Sequence, residues 1–162
     1  MATHLKNLSD YDATGISAEG MRFSIVVSDW NTRVTGALLD GAVQALRELG
    51  CKDTDLQIHR VPGSYELPTG AKWAAETNKP DAVICLGCVI QGETRHFDFI
   101  CQAVAQGLMD LNLSFGIPFI FGVLTPENMD QALDRSGGKH GNKGIEAAVS
   151  AVKMCLLRTK LR

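Results

Sequence analysis

The chain has 162 residues, 45% hydrophobic and 21% charged, with a net charge of −2, which is enough for one ordinary core. Without a basic stripe or lysine block, nucleic-acid binding by phosphate neutralisation has little support, and the longest apolar run, AVICLGCVI (82–90), is too short to cross a bilayer. Residues 1–20 carry Asp10, Asp12 and Glu19 in place of the apolar stretch of a signal peptide, so the chain reads as cytoplasmic, with no membrane partner.

An N-terminal arm is expected over residues 1–20 and a single α/β domain over 21–162. RFSIVVS (22–28) is a short, β-branched strand. Small or apolar residues at Val34, Ala37, Leu38, Gly41, Ala42, Ala45, Leu46 and Leu49 then follow one helix face, and Gly50 stands at its stop. LQIHRV (56–61) is the second strand. PGSYELP (62–68) leads into a helix through Ala71, Trp73 and Ala74, with Pro68 in the first turn, where a missing N–H costs little. AVICLGCVI is the third strand. It contains a C-x-x-C pair, Cys85 and Cys88, whose side chains at i and i+3 of a strand point to opposite faces. Core packing is therefore favoured over a redox or metal role. With Cys51, Cys101 and Cys155 the cysteines number an odd five, as buried free thiols do in a reducing compartment. The next helix shows Phe97, Ile100, Cys101, Val104, Leu108 and Leu111 on one face. IPFIFGVL (117–124) is the fourth strand, and helices are expected near 127–135 and 142–157.

Apolar strands alternating with helices predict a three-layer α/β sandwich. Its sheet is four-stranded, parallel, of flavodoxin-like order and buried on both sides.

Ligands of such sheets bind beyond the carboxyl ends of the strands. Those ends read Trp30-Asn31, then Pro62-Gly63-Ser64-Tyr65-Glu66, then Gln91 to His96, then the region after Leu124. Gly92-Glu93-Thr94 opens a helix, whose free N–H groups and positive dipole end suit an anion; Thr94 as a plain N-cap is the equal alternative. His96 in the first turn is either simply exposed or, beside a bound anion, a proton carrier at neutral pH. Trp30 either stacks on a flat heterocycle or caps the core. Glu66 is a solvated helix-start acid or an acceptor for ligand hydroxyls. Arg135 precedes SGGKHGNKG (136–144), which lacks the spacing of a Walker motif. That stretch, with Lys139 and Lys143, is read as a flexible cationic segment suited to phosphate, or as a solvated loop.

Four motifs stand in order at or just after strand ends: SDWN (28–31), PGSYELP (62–68), GCVIQGETRHFDFI (87–100) and FGVLTPENMDQALDRSGGKHGNKG (121–144). Together they resemble the lumazine synthase family, over about residues 22–157. The resemblance implies condensation of 5-amino-6-(D-ribitylamino)uracil with 3,4-dihydroxy-2-butanone 4-phosphate, without cofactor or metal. It implies that Trp30 stacks on the pyrimidine, and that Ser64, Tyr65 and Glu66 hold it, with Glu66 on the ribityl hydroxyls. Cys88, Val89 and Ile90 would read the uracil edge through their backbone. Glu93, Thr94 and Arg135 would bind phosphate, and His96 would move protons. Phe121, toward the pyrimidine, and Lys143, toward the phosphate, would come from a neighbouring subunit.

Where the commoner family pattern has a small residue at 93, Phe at 30 and Thr at 88, this chain has Glu93, Trp30 and Cys88. Glu93 is expected to offer its backbone N–H with its carboxylate turned away. The resemblance also implies pentamers, and SGGKHGNKG lacks the insertion of members restricted to pentamers, so a 60-mer shell is expected. The arm, including GISAEGM (15–21), is expected to add a strand to a neighbouring subunit, and riboflavin synthase is the implied partner. The competing readings are a non-catalytic flavin or lumazine binder, a thiol redox protein and an inactive shell. A binder would keep Trp30 and Glu66 without needing His96 and Arg135 together.

Overall fold

The computed structural model describes residues 7 and 9–161. Strand β1 (Phe23–Ser28) is buried throughout. It lies between β2 (Leu56–Val61) and β3 (Ala82–Cys88), and β4 (Phe119–Leu124) pairs outside β3. All pairings are parallel, in the order β2-β1-β3-β4. This is the flavodoxin-like order expected from the sequence. Helices α1 (Thr32–Glu48) and α5 (Lys143–Lys160) cover one face, where Leu38, Leu46 and Val152 meet Ile25, Val27, Ile84 and Leu86. Helices α2 (Leu67–Asn78) and α3 (His96–Ser114) cover the other, where Leu67, Val104 and Leu108 meet Val26, Val83 and Cys85. Burial on both sides holds for β1 and β3. It does not hold for the edge strand β2, where Ile58 is 47% exposed.

One strand ends earlier than its apolar run. β3 stops at Cys88, although Val89 still donates to the Leu124 carbonyl at 2.9 Å and Gln91 to that of Pro126 at 3.0 Å. Between those two bonds the ladder would next pair the Val89 carbonyl with the N–H of residue 126. Proline has none, so this pairing is missing at the edge of the site.

SGGKHGNKG departs from the flexible segment expected. It folds as an antiparallel hairpin of β5 (Ser136–Gly138) and β6 (Gly141–Asn142), after the short helix α4 (Met129–Asp134). Gly137 and Gly141 take φ of 122° and 80°, values that favour glycine. Asn142 then closes the motif as the N-cap of α5. Its Oδ1 accepts from the Gly144 N–H at 2.8 Å, and its Nδ2 donates to the Ala37 carbonyl of α1 at 2.8 Å. The glycines here serve a buried helix junction, which sequence alone does not distinguish from a mobile loop.

From Ser9 onward the arm docks on its own chain. Ser9 Oγ accepts from the Asn142 N–H at 3.0 Å, Ala18 donates to the Leu49 carbonyl at 2.8 Å, and the Ala18 side chain is fully buried. The strand expected to reach a neighbour also involves residues 1–6 and 8, which lie outside the described residues.

Candidate active site

Four segments meet at the carboxyl end of the sheet around a cavity of about 480 Å³. The turn after β1 brings Trp30 and Asn31, and the turn after β2 brings Gly63, Ser64, Tyr65 and Glu66. The end of β3 brings Cys88, Val89 and Ile90, and the start of α3 brings His96 and Ile100. Trp30 is 72% exposed, so it does not cap the core. Its ring stands at the cavity as a free platform, the arrangement that lets an aromatic stack on a planar ligand. A Cβ at Gly63 would come 3.0 Å from Glu66 Oε2 and 3.5 Å from Trp30 Cδ1. The absence of a side chain there lets the carboxylate fold back beside the indole. Gly87 makes similar room a layer deeper, since a Cβ there would sit 2.6 Å from Ser64 Oγ.

At the mouth, α3 begins without a capping side chain from Arg95. Thr94 Oγ1 instead accepts from the His96 N–H at a long 3.4 Å, so the capping role read from the sequence is present but weak. Among the described residues, the N–H groups of Glu93, Thr94 and Arg95 donate to no protein acceptor. All three residues are exposed, so their donors are open to an anion at the positive end of a 19-residue helix. The Arg95 side chain is engaged locally, 3.5 Å from Asp98 and 5.9 Å over the Phe99 ring.

The remaining expected residues lie elsewhere in the chain. Phe121, on edge strand β4, is 39% exposed. Arg135 ends α4, where Nη1 donates to the Gln131 carbonyl at 3.0 Å. Lys143 Nζ pairs with Glu146 at 2.6 Å. None of the three lines the cavity. Arg135 and Lys143 do travel together, because the Lys143 N–H donates to the Arg135 carbonyl at 2.9 Å. Sequence reasoning missed Asn31 as a pocket residue. Its signal was an asparagine in the short turn between β1 and α1, at a position that proves left-handed, with φ 59°.

A second cavity, about 550 Å³, lies between β2 and α2 and shares Glu66. It is lined by His59, Trp73 and Asn78 but reaches neither His96 nor the end of β3, so the polar groups converge on the smaller one.

The C-x-x-C thiols sit on opposite faces, Cys85 against α2 and α3, Cys88 against α1. Burial pushes the Cys85 thiol far up and the Cys88 thiol up to about 12, with Cys101 adding to the latter. Neither forms a thiolate near neutral pH, the species redox exchange requires. Cys85→Ser is expected to leave turnover per folded protein unchanged, measured by active-site titration beside the parent. A proportional loss of rate would revive the redox reading.

These features define a class first: a parallel α/β protein with a cavity at the carboxyl edge of its sheet, walled by an exposed tryptophan and bordered by a helix start whose N–H groups are free among the described residues. The family model described as 6,7-dimethyl-8-ribityllumazine synthase matches residues 20–159, and the chain belongs to that family. It is 55% identical over 161 residues to the 6,7-dimethyl-8-ribityllumazine synthase of Flavobacterium johnsoniae, covering 98% of this chain and 84% of that one. It is 52% identical over 155 residues to that of Parabacteroides distasonis, covering 95% and 97%. With the protein of the same name from Phocaeicola vulgatus it shares 48% over 163 residues, covering 100% and 97%.

Proposed function

We propose that this protein condenses 5-amino-6-(D-ribitylamino)uracil with 3,4-dihydroxy-2-butanone 4-phosphate to give 6,7-dimethyl-8-ribityllumazine, releasing phosphate and water. The observation that carries the reading is the convergence of Trp30, Glu66 and His96 on one cavity in a member of this family. Trp30 stacks on the pyrimidine, Ser64 and Tyr65 wall it, and Glu66 accepts from the ribityl hydroxyls. At the end of β3 the Cys88 carbonyl is already bonded to Asn31 and the Val89 N–H to Leu124. That leaves the Ile90 N–H and carbonyl, which face away from β4, as the donor–acceptor pair for the uracil edge, with Val89 between them and Cys88. The phosphate lies on the free N–H groups of Glu93 and Thr94, with the exposed Glu93 carboxylate turned to solvent.

The 5-amino group attacks the ketone and one water leaves as the imine forms. Phosphate is then eliminated, the resulting enol becomes a carbonyl, and the ribitylamino nitrogen attacks it to close the ring with loss of a second water. His96 carries the protons between these steps. Holding two reactants in one geometry supplies most of the acceleration, which is why no cofactor is required. The proposal places the protein in the cytoplasm, where its five free thiols stay reduced.

The site needs a second copy. Lys143 reaches it from a neighbour in this reading, and the backbone bond between them brings Arg135 in with it, while Phe121 arrives from the same edge. We place the assembly at a pentamer, closing into a 60-mer shell, with riboflavin synthase as the partner that takes the product. Large apolar side chains left exposed on α3, Phe99 at 62% and Leu113 at 81%, support burial between copies.

The test is lumazine formation followed by absorbance, with Arg135→Ala alongside. Loss of a charge-assisted phosphate contact raises KM for the ketone phosphate about 10- to 100-fold and leaves pyrimidine binding nearly intact. An unchanged rate at limiting ketone phosphate rejects the Arg135 role. A parent protein no faster than the spontaneous reaction rejects the synthase in favour of a binder.

A further inference from the structure

The end of β1 turns away from β3 just where the site begins. The β1–β3 register closes at Val27 and Leu86. Beyond it, Asp29 gives its N–H to Val61 at 2.9 Å and Trp30 gives its own to Pro62 at 3.2 Å. Both bonds run toward β2. The Cys88 carbonyl, facing β1 from the end of β3, therefore loses the backbone donors that a continuing strand would provide. Asn31 supplies one from its side chain: Nδ2 donates to the Cys88 carbonyl at 3.0 Å.

Asn31 can do this because its backbone is left-handed, with φ 59° and ψ 46°. Among residues bearing a side chain, asparagine takes that conformation most readily. In the same position its carbonyl accepts the N–H groups of Val34 at 2.8 Å and Thr35 at 3.0 Å, starting α1. One residue thus ends the turn that carries Trp30, opens the first helix and ties that junction to the strand end at Cys88.

We infer that Asn31 is a positioning residue, which sets the separation between the Trp30 platform and the hydrogen-bonding backbone edge at Ile90. The inference rests on the proposed pyrimidine site. It goes beyond that reading by giving the pocket's width to a group that need not touch the reacting atoms. Because Asn31 lines the cavity, the tie also fixes its own Oδ1 as a wall acceptor.

Two variants test it. Asn31→Gly keeps the left-handed backbone and deletes the amide. Asn31→Asp keeps the shape and replaces the donor with an oxygen that repels the Cys88 carbonyl. Both should fold, with melting temperatures lowered by a few degrees as the Cys88 carbonyl loses its donor. Both should raise KM for the ribitylamino-uracil about tenfold, the scale of one lost hydrogen bond, while KM for the ketone phosphate and kcat at saturation move by less than about threefold. Equal changes in both KM values, or an unchanged pyrimidine KM in both variants, would overturn the inference. Equilibrium dialysis of 6,7-dimethyl-8-ribityllumazine separates this from the activity. If the parent binds it but shows no turnover, the synthase reading fails, and about tenfold weaker binding by both variants still supports positioning. Undiminished binding in that case overturns positioning as well.

Discussion

Gly144→Ala is expected to lower the unfolding free energy by about 3 kcal/mol, at the top of the usual range for an overpacked site. The corresponding fall in melting temperature is about 6–12 °C for a chain of this size. Helices α1 and α5 cross where neither can carry a side chain toward the other. A Cβ on Gly144 would collide with the carbonyl oxygen of Leu38, and one on Gly41 would lie 2.6 Å from the Asn142 side chain. The first obstacle is backbone in the middle of a 17-residue helix, so it cannot rotate aside, and relief requires α5 to lift from the sheet. Lifting it would strain the Asn142 bonds to Ala37 and Gly144 and open the layer beneath Ala148 and Val152, both fully buried. Gly36→Ala is the control. It sits on the same helix with open space around its Cβ direction and should stabilise slightly by improved helix propensity. Urea titration of the two variants measures the contrast. Equal midpoints would show that α5 has room to move and that the helix crossing does not determine the fold's stability.

That crossing marks the boundary of what is legible in the sequence. The strands and helices announce themselves because their signals are local. β1 and β3 are near-continuous apolar runs, and α1 keeps one face from Val34 to Leu49. The strand order follows from short right-handed crossovers, and the cavity from the rule that ligands meet such sheets at their carboxyl ends. Trp30, Ser64, Tyr65, Glu66, Cys88, Val89, Ile90 and His96 therefore group together without any distance being known. The unreadable features depend on separation in space between residues distant in the chain. Gly141, Asn142 and Gly144 look like a mobile cationic loop because nothing local reveals that Ala37 and Leu38 pack on them. Asn31 escapes notice because its value lies in a bond to Cys88, 57 positions away. Arg135 is proposed as a phosphate ligand on its charge and its motif. The structure adds a second role, since its guanidinium satisfies the Gln131 carbonyl at the end of α4, a common use of arginine at helix C-termini.

His96→Ala is expected to lower kcat about 100-fold, the lower end of what a positioned general acid–base contributes, with KM for each substrate within about threefold of the parent. The geometry separates these two quantities. His96 is the first residue of α3, exposed; its backbone N–H donates to Thr94 Oγ1, and its imidazole has no hydrogen-bond partner among the described residues. Truncating the imidazole therefore leaves no buried partner unsatisfied, and the fold should not register the loss. The amides of Glu93, Thr94 and Arg95 belong to the backbone and survive the substitution, so the phosphate keeps its donors. Trp30, Glu66 and the β3 edge also remain, so the pyrimidine keeps its platform. On the proposed mechanism, what disappears is a proton carrier beside the reacting amine and ketone. Water can replace it at lower efficiency, while the pocket continues to hold both reactants together, and that proximity sets the residual rate. Single-turnover absorbance measurements at saturating substrates isolate this step from product release. A variant whose KM rises for both substrates at unchanged kcat would make His96 a wall of the cavity and nothing more. A rate indistinguishable from the spontaneous reaction, with binding intact, would instead show that proximity contributes little here and that proton transfer carries the catalysis.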